Sequence, residues 1–146
     1  MKILVFGEIG QLGQELARRC GDVELEVRGL EEADFTDPAA CVGFVEATDA
    51  DAVINAVAYT AVDKAEEDEA LAEMINATTA GALARAAAAR GLPFVQVSTD
   101  YVFDGSGDQP FAVDAPVGPL GAYGRTKLNG EIAVRAAGGV HAILRT

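Results

Sequence analysis

Three glycines near the start of the chain restrict its fold more than any other feature. Gly7, Gly10 and Gly13 fall in the stretch GEIGQLG, directly after the apolar run Ile3–Phe6 and directly before the helical pattern Gln11–Arg19. A strand that turns through glycines into a helix presents free N–H groups with a partial positive charge, on backbone that can be approached closely. The pyrophosphate of a dinucleotide needs both. The spacing is G-x-x-G-x-x-G, not the G-x-G-x-x-G of the general fingerprint, so its weight comes from its place between strand and helix. The competing use of these glycines is a turn with close helix–sheet packing. Glu8 sits inside the loop, where a carboxylate repels a pyrophosphate by ~1 kcal/mol in water, so its side chain is expected to point outward.

The strand–helix alternation continues along the chain. Apolar stretches at Val23–Val27, Ala52–Asn55, Phe94–Ser98 and Val140–Leu144 alternate with helical patterns over residues 38–47, Val62–Arg90 and Tyr123–Ala137. Pro38 lies near the first turn of the second helix. Gly91 stops the long third one, and Pro93 fixes the entry to the next strand. A Gly/Pro/Asp-rich loop runs from Asp104 to about Gly121. Strands apolar throughout and separated by helices predict an α/β fold: a Rossmann-type, doubly wound parallel sheet in three layers, α/β/α. Ala33–Thr36 is a candidate extra strand, although the link from Val27 is too short for a helical crossover. At 146 residues the chain fits one domain with a proper core.

Acidic residues outnumber basic ones 23 to 11, a formal net charge of −12. Such a surface repels phosphate backbones and anionic lipid, which argues against nucleic acid and membranes as partners. No cationic leader precedes an apolar run, and no apolar stretch is long enough to span a bilayer. Cys20 and Cys41 match no zinc spacing and give no disulfide framework, so a cytoplasmic location is expected.

Two further patterns carry chemistry. Arg28 stands near the end of the second strand, where an acid would bind adenosine ribose hydroxyls and an arginine would accept a 2′-phosphate. It leans the cofactor from NAD(H) toward NADP(H), the alternative being a solvated surface arginine. Tyr123 and Lys127 form Y-x-x-x-K, an i,i+4 pair on one helix face, in which the ammonium can lower the phenol's pKa toward the range of an acid–base catalyst. Ser98-Thr99-Asp100-Tyr101 ends a parallel strand, where open α/β sheets place their sites, and a threonine hydroxyl there can bond a carbonyl oxygen shared with the tyrosine.

Together GQLG, NAVAYTAVDKAE, STDYVFDG and YGRTKLNGE resemble the dTDP-4-dehydrorhamnose reductase family of the extended short-chain dehydrogenase/reductases, over essentially the whole chain. The resemblance implies NAD(P)H-dependent reduction of the C4 keto group of dTDP-4-dehydro-L-rhamnose to dTDP-L-rhamnose. Thr99, Tyr123 and Lys127 then match the catalytic trio: Thr99 polarises the carbonyl, Tyr123 donates the proton, and Lys127 lowers the phenol's pKa and bonds the nicotinamide ribose. Cofactor contacts are implied for Gly7, Gly10, Gln11, Leu12, Gly13 and Arg28, for Asp34 and Phe35 near the adenine, for Ala56, Ala58 and Tyr59 after the third main strand, and for Tyr123 and Lys127 themselves. Thr99, Asp100 and Tyr101 match residues near the nucleotide-sugar substrate, and Asn76 one that supports the site from behind.

Several of these residues have plain structural alternatives. Asn55 and Asn76 can satisfy backbone groups, Asp34 can form a turn or cap, and Tyr101 can simply pack. Glu15 matches a position that in some members helps hold Mg²⁺ at a dimer interface. Here it is read as a solvated helix residue, with a homodimer as the candidate assembly. The run Glu66–Glu69 reads as a solvated helix face, and His141 is given no role. Glu8, Ile9 and Val57 depart from the residues usual in the family. The family also continues past the equivalent of Thr146 into a substrate-binding region, so cofactor binding with weak or no turnover is expected. Two alternatives stand: another extended short-chain sugar-nucleotide epimerase or dehydratase, and a non-catalytic nucleotide-binding regulatory subunit. Tyr101, where a dehydratase would be expected to carry a carboxylate, disfavours the first, and the intact trio disfavours the second.

Overall fold

The computed structural model describes residues 1–146. Five strands, β1 (Lys2–Phe6), β2 (Glu24–Arg28), β3 (Ala52–Asn55), β4 (Phe94–Ser98) and β5 (His141–Arg145), form one wholly parallel sheet in the order β2-β1-β3-β4-β5. The chain steps from β1 outward to β2, then reverses past β1 to β3 and continues to β5. With right-handed crossovers, this order sets α1 (Gln11–Arg19) on one face and α2 (Pro38–Ala47), α4 (Ala80–Ala89) and α5 (Ala122–Ala137) on the other.

Pleat alternation decides what each face buries. Leu4, Val53 and Phe94 stand in register across β1, β3 and β4. With Phe6 they meet Cys41 and Val45 of α2, Leu83, Ala84 and Ala87 of α4, and Val134 of α5 in the main core. Phe35 and Phe44 pack edge-on against Phe6, with ring centroids 5.7 and 6.5 Å away. On the opposite face, Leu16 of α1 shares a small cleft with Ile3, Leu25 and Ile54. Asp37 caps α2 by accepting from the N–H groups of Ala39 and Ala40.

The structure departs from the sequence expectation in two places. Residues 62–90 are not one helix: a 3₁₀ turn (Lys64–Glu66), a short α3 (Glu69–Glu73) and a π-helical turn (Met74–Thr79) precede α4. Residues 33–36 form no strand. The Asp34 carboxylate accepts from the Thr36 N–H at 2.8 Å and the Thr36 hydroxyl at 2.7 Å, and this turn replaces extension. β2 therefore remains the edge of the sheet. β2 and β5 each begin one residue later than expected. No helix is long and apolar enough to cross a membrane.

Candidate active site

The strand order reverses between β1 and β3, and open α/β sheets bind ligands in the crevice outside such a reversal. A cleft of about 390 Å³ opens there. Gly7, Ile9 and Gly10 line it from the glycine loop, Leu30 and Ala33 from the segment after β2, and Ala56, Val57, Ala58 and Thr60 from the segment after β3. The glycines divide by role. Gly7 has φ +111°, donates its N–H to the Arg28 carbonyl at 3.0 Å, and would bring a Cβ within 3.1 Å of the Ala56 carbonyl carbon. A Cβ on Gly13 would run into the Gly7 carbonyl oxygen. Turn and packing thus account for Gly7 and Gly13. They do not account for Gly10, which would meet nothing within 4 Å and starts α1 without a side-chain cap, leaving its first-turn amides free at the cleft.

Gln11 and Leu12 form the first turn of α1, with their side chains exposed and their amides among those left free, and Glu8 is exposed and lies against Gly29. Arg28 donates to Glu26 at 2.6 Å and Glu32 at 3.4 Å, with its guanidinium 5.1 Å from the centre of the Phe44 ring. It does not line the cleft. Asp34 and Phe35, next in sequence to the lining residue Ala33, are not on the lining either: Asp34 is held in its own turn, and Phe35 is buried in the core against Phe6. Leu30 and Ala33 take that wall instead. Only the tertiary fold shows this, since apolar residues in a loop carry no periodic signal.

Thr99, Tyr123 and Lys127 converge at the carboxyl end of β4. Thr99 accepts from the Tyr101 N–H at 3.3 Å and starts a 3₁₀ turn (Asp100–Val102). The Tyr101 ring stands edge-on to Tyr123 at 5.5 Å. Burial raises the Tyr123 phenol pKa, with Tyr101 and Asp100 adding to the rise, while the Thr99 hydroxyl close beside it works to lower it. This corrects the expectation that the Lys127 ammonium depresses the phenol, because that ammonium donates instead to the Val97 carbonyl at 2.7 Å. Burial pulls Lys127 down to about 8, against the charge of Glu131. Beside Tyr123 lies a second cleft of about 320 Å³, walled by Tyr101, Phe103, Phe111 and Leu120 with Asp100 and Asp104 on its lining. Phe103 and Phe111 stack at 4.4 Å. The sequence reading missed both, because the irregular loop that carries Phe111 has no pattern to read.

Side chains from three segments fix α5, and with it Tyr123. Glu66 accepts from the Ala122 N–H at 2.7 Å, and Glu69 holds Arg125 through two bonds of 3.0 Å. The run expected to be a solvated face is therefore partly an anchor. Asn76, buried in the π-helical turn, accepts from the Tyr59 N–H at 2.8 Å and donates to the Tyr59 carbonyl and the Thr126 hydroxyl. Asn55 similarly satisfies Gln96 and the Val57 N–H. The Tyr59 hydroxyl turns away to Asp68 at 3.0 Å, leaving Ala56 and Ala58 to line the crevice. Glu15 pairs with Arg18 and Arg19 on the outside of α1, and no group of three or more His, Cys, Asp or Glu is arranged to hold a metal ion.

A family model described as the RmlD substrate binding domain matches residues 1–146. The dTDP-4-dehydrorhamnose reductase of Burkholderia thailandensis is 45% identical over 147 residues, covering 100% of this chain and 49% of that protein. A crystal structure of a dTDP-4-dehydrorhamnose reductase from Clostridium acetobutylicum superposes with a TM-score of 0.93 at 42% identity, over 99% of this chain and 52% of that one. One from Bacillus anthracis, in complex with NADP, gives 0.93 at 29% identity with the same coverage. The chain spans about half the length of the curated relatives it matches.

Proposed function

Because the chain belongs to the family described as the RmlD substrate binding domain, we propose that it is the NAD(P)-binding Rossmann domain of a reductase that converts dTDP-4-dehydro-L-rhamnose to dTDP-L-rhamnose. One observation carries the reading: the Thr99 hydroxyl lies beside the Tyr123 phenol, with Lys127 of the same helix bonded to Val97 near the end of β4, in the same sheet whose reversal opens the glycine-lined crevice. The crevice suits a dinucleotide. Gly10 and the free amides of α1 would take the diphosphate, with Ala56 and Ala58 against the nucleoside. When bound, the reduced nicotinamide supplies a hydride to the carbonyl carbon. As the carbonyl electron pair moves onto oxygen, Tyr123 gives that oxygen its proton and Thr99 donates a hydrogen bond to it. The raised phenol pKa suits this direction, since the group is fully protonated at neutral pH. Lys127 would hold the nicotinamide ribose.

The aromatic cleft beside Tyr123 suits a deoxysugar, whose apolar ring face and methyl group pack well on Tyr101, Phe103 and Phe111. Single-turnover oxidation of bound NAD(P)H on adding dTDP-4-dehydro-L-rhamnose tests the reading. Tyr123→Phe should slow it by about 10²-fold or more while the protein still binds the dinucleotide. A variant as fast as the wild-type chain, or a wild-type chain that binds no dinucleotide, removes the assignment.

A further inference from the structure

The carboxyl end of β2 is where a sheet of this kind distinguishes an adenosine ribose with two hydroxyls from one with a 2′-phosphate. Arg28, the cation placed there, is already engaged. Its Nη2 donates to Glu26 at 2.6 Å and its Nη1 to Glu32 at 3.4 Å, and the guanidinium lies over Phe44. The space an acid would normally occupy is taken from the other side, by the glycine loop. Glu8 reaches across so closely to Gly29 that a Cβ on Gly29 would collide with its carboxylate. A cleft of about 480 Å³ opens at this point, lined by Glu8, Ile9, Gly29, Leu30, Glu31 and Glu32, with no basic side chain among them. It shares Ile9 and Leu30 with the dinucleotide crevice, so the two clefts adjoin.

We infer that Glu8 reads the adenosine ribose as a diol, so that the protein takes NAD(H) in preference to NADP(H). The inference rests on the dinucleotide reading given above and sharpens it. A carboxylate only accepts hydrogen bonds, and the ribose 2′ and 3′ hydroxyls are donors that match it. A 2′-phosphate donates nothing at neutral pH, carries up to two negative charges, and would sit among Glu8, Glu31 and Glu32 with Arg28 turned elsewhere. Gly29 leaves room for the Glu8 carboxylate, since a Cβ there would meet its tip.

Titrating the protein with NADH and with NADPH at one ionic strength, by the fluorescence of the reduced nicotinamide, tests this. The wild-type protein is expected to bind NADH about tenfold more tightly or better. Glu8→Gln should shrink that ratio by about threefold and Glu8→Lys should bring it to one or invert it, each without loss of folding, since Glu8 is exposed on a loop. Equal affinities in the wild-type protein, or a ratio that neither substitution moves, would overturn the role of Glu8 and leave the dinucleotide site standing. Failure to bind either dinucleotide would overturn the underlying reading, and this inference with it.

Discussion

Lys127 is held in the protein interior at a cost. It is 3% exposed, and burial, only partly offset by the charge of Glu131, drives its pKa down from 10.5 to about 8. The unfolded chain therefore binds more protons than the folded one between those values, so the lysine's penalty is full below pH 8 and is relieved as pH rises toward 10.5. Lys127→Met should raise the unfolding free energy by about 1–3 kcal/mol at neutral pH. The Val97 carbonyl keeps a partner in the Gln96 amide, and Glu131 keeps its two arginines. Urea titrations should show the gap closing from pH 8 upward; a destabilised variant would contradict this account. Two glycines give a matched pair of outcomes. Gly13→Ala must displace the Gly7 carbonyl and should cost about 2 kcal/mol or more in thermal unfolding. Gly10→Ala meets only open space, so it should leave stability within about 0.5 kcal/mol while weakening NADH binding. The spacing of Tyr123 and Lys127 made both legible in the sequence. The phenol's raised pKa was not, because it follows from burial and from Val97 drawing the ammonium away.

At the scale of elements, strand β3, strand β4 and helix α1 could be read to the residue from apolar runs and breakers. The stretch before α4 could not. Its π-helical turn carries Asn76, which bonds Tyr59 on one side and Thr126 on the other, and no local propensity encodes a partner 50 residues away. The same holds for Glu131, which has no exposed surface. It accepts from Ser98 at 2.7 Å, from Arg145 at 2.8 and 2.6 Å, and from Arg135 at 3.2 Å, so that one carboxylate ties α5 to the ends of β4 and β5. Burial works to raise its pKa, but the bonds from Arg145 and Ser98 and the two arginine charges outweigh it and hold the group below 4.5. Glu131→Gln leaves Arg145 uncompensated and should cost about 3 kcal/mol of unfolding free energy. A depressed carboxylate stabilises fully above its unfolded pKa and loses that contribution as pH falls through the folded one. Chemical denaturation should therefore show a constant gap between variant and wild-type protein down to about pH 4.5, closing only below it. A gap that closes nearer neutrality would mean the carboxylate is not charged in the fold.

For the molecule as a whole, the strand order follows from alternation, short links and the handedness of crossovers, so the position of the crevice was implicit before any side chain was placed. What it binds must contend with a formal charge of −12. A dinucleotide is itself an anion, and the attraction available to it is the partial charge at the start of α1, which fades within about one helical turn. Over longer distances the acidic surface repels it. Screening should remove that repulsion while leaving the short-range bonds to backbone amides nearly intact. Stopped-flow association of NADH is therefore expected to speed up by about threefold between ~0.01 and ~0.3 M monovalent salt, with a dissociation rate that hardly changes. A rate that falls with salt would mean that the crevice presents a positive potential to approaching ligands. Arg28 would then have to be free of Glu26 and Glu32 in solution, and the preference assigned to Glu8 would lose its physical ground.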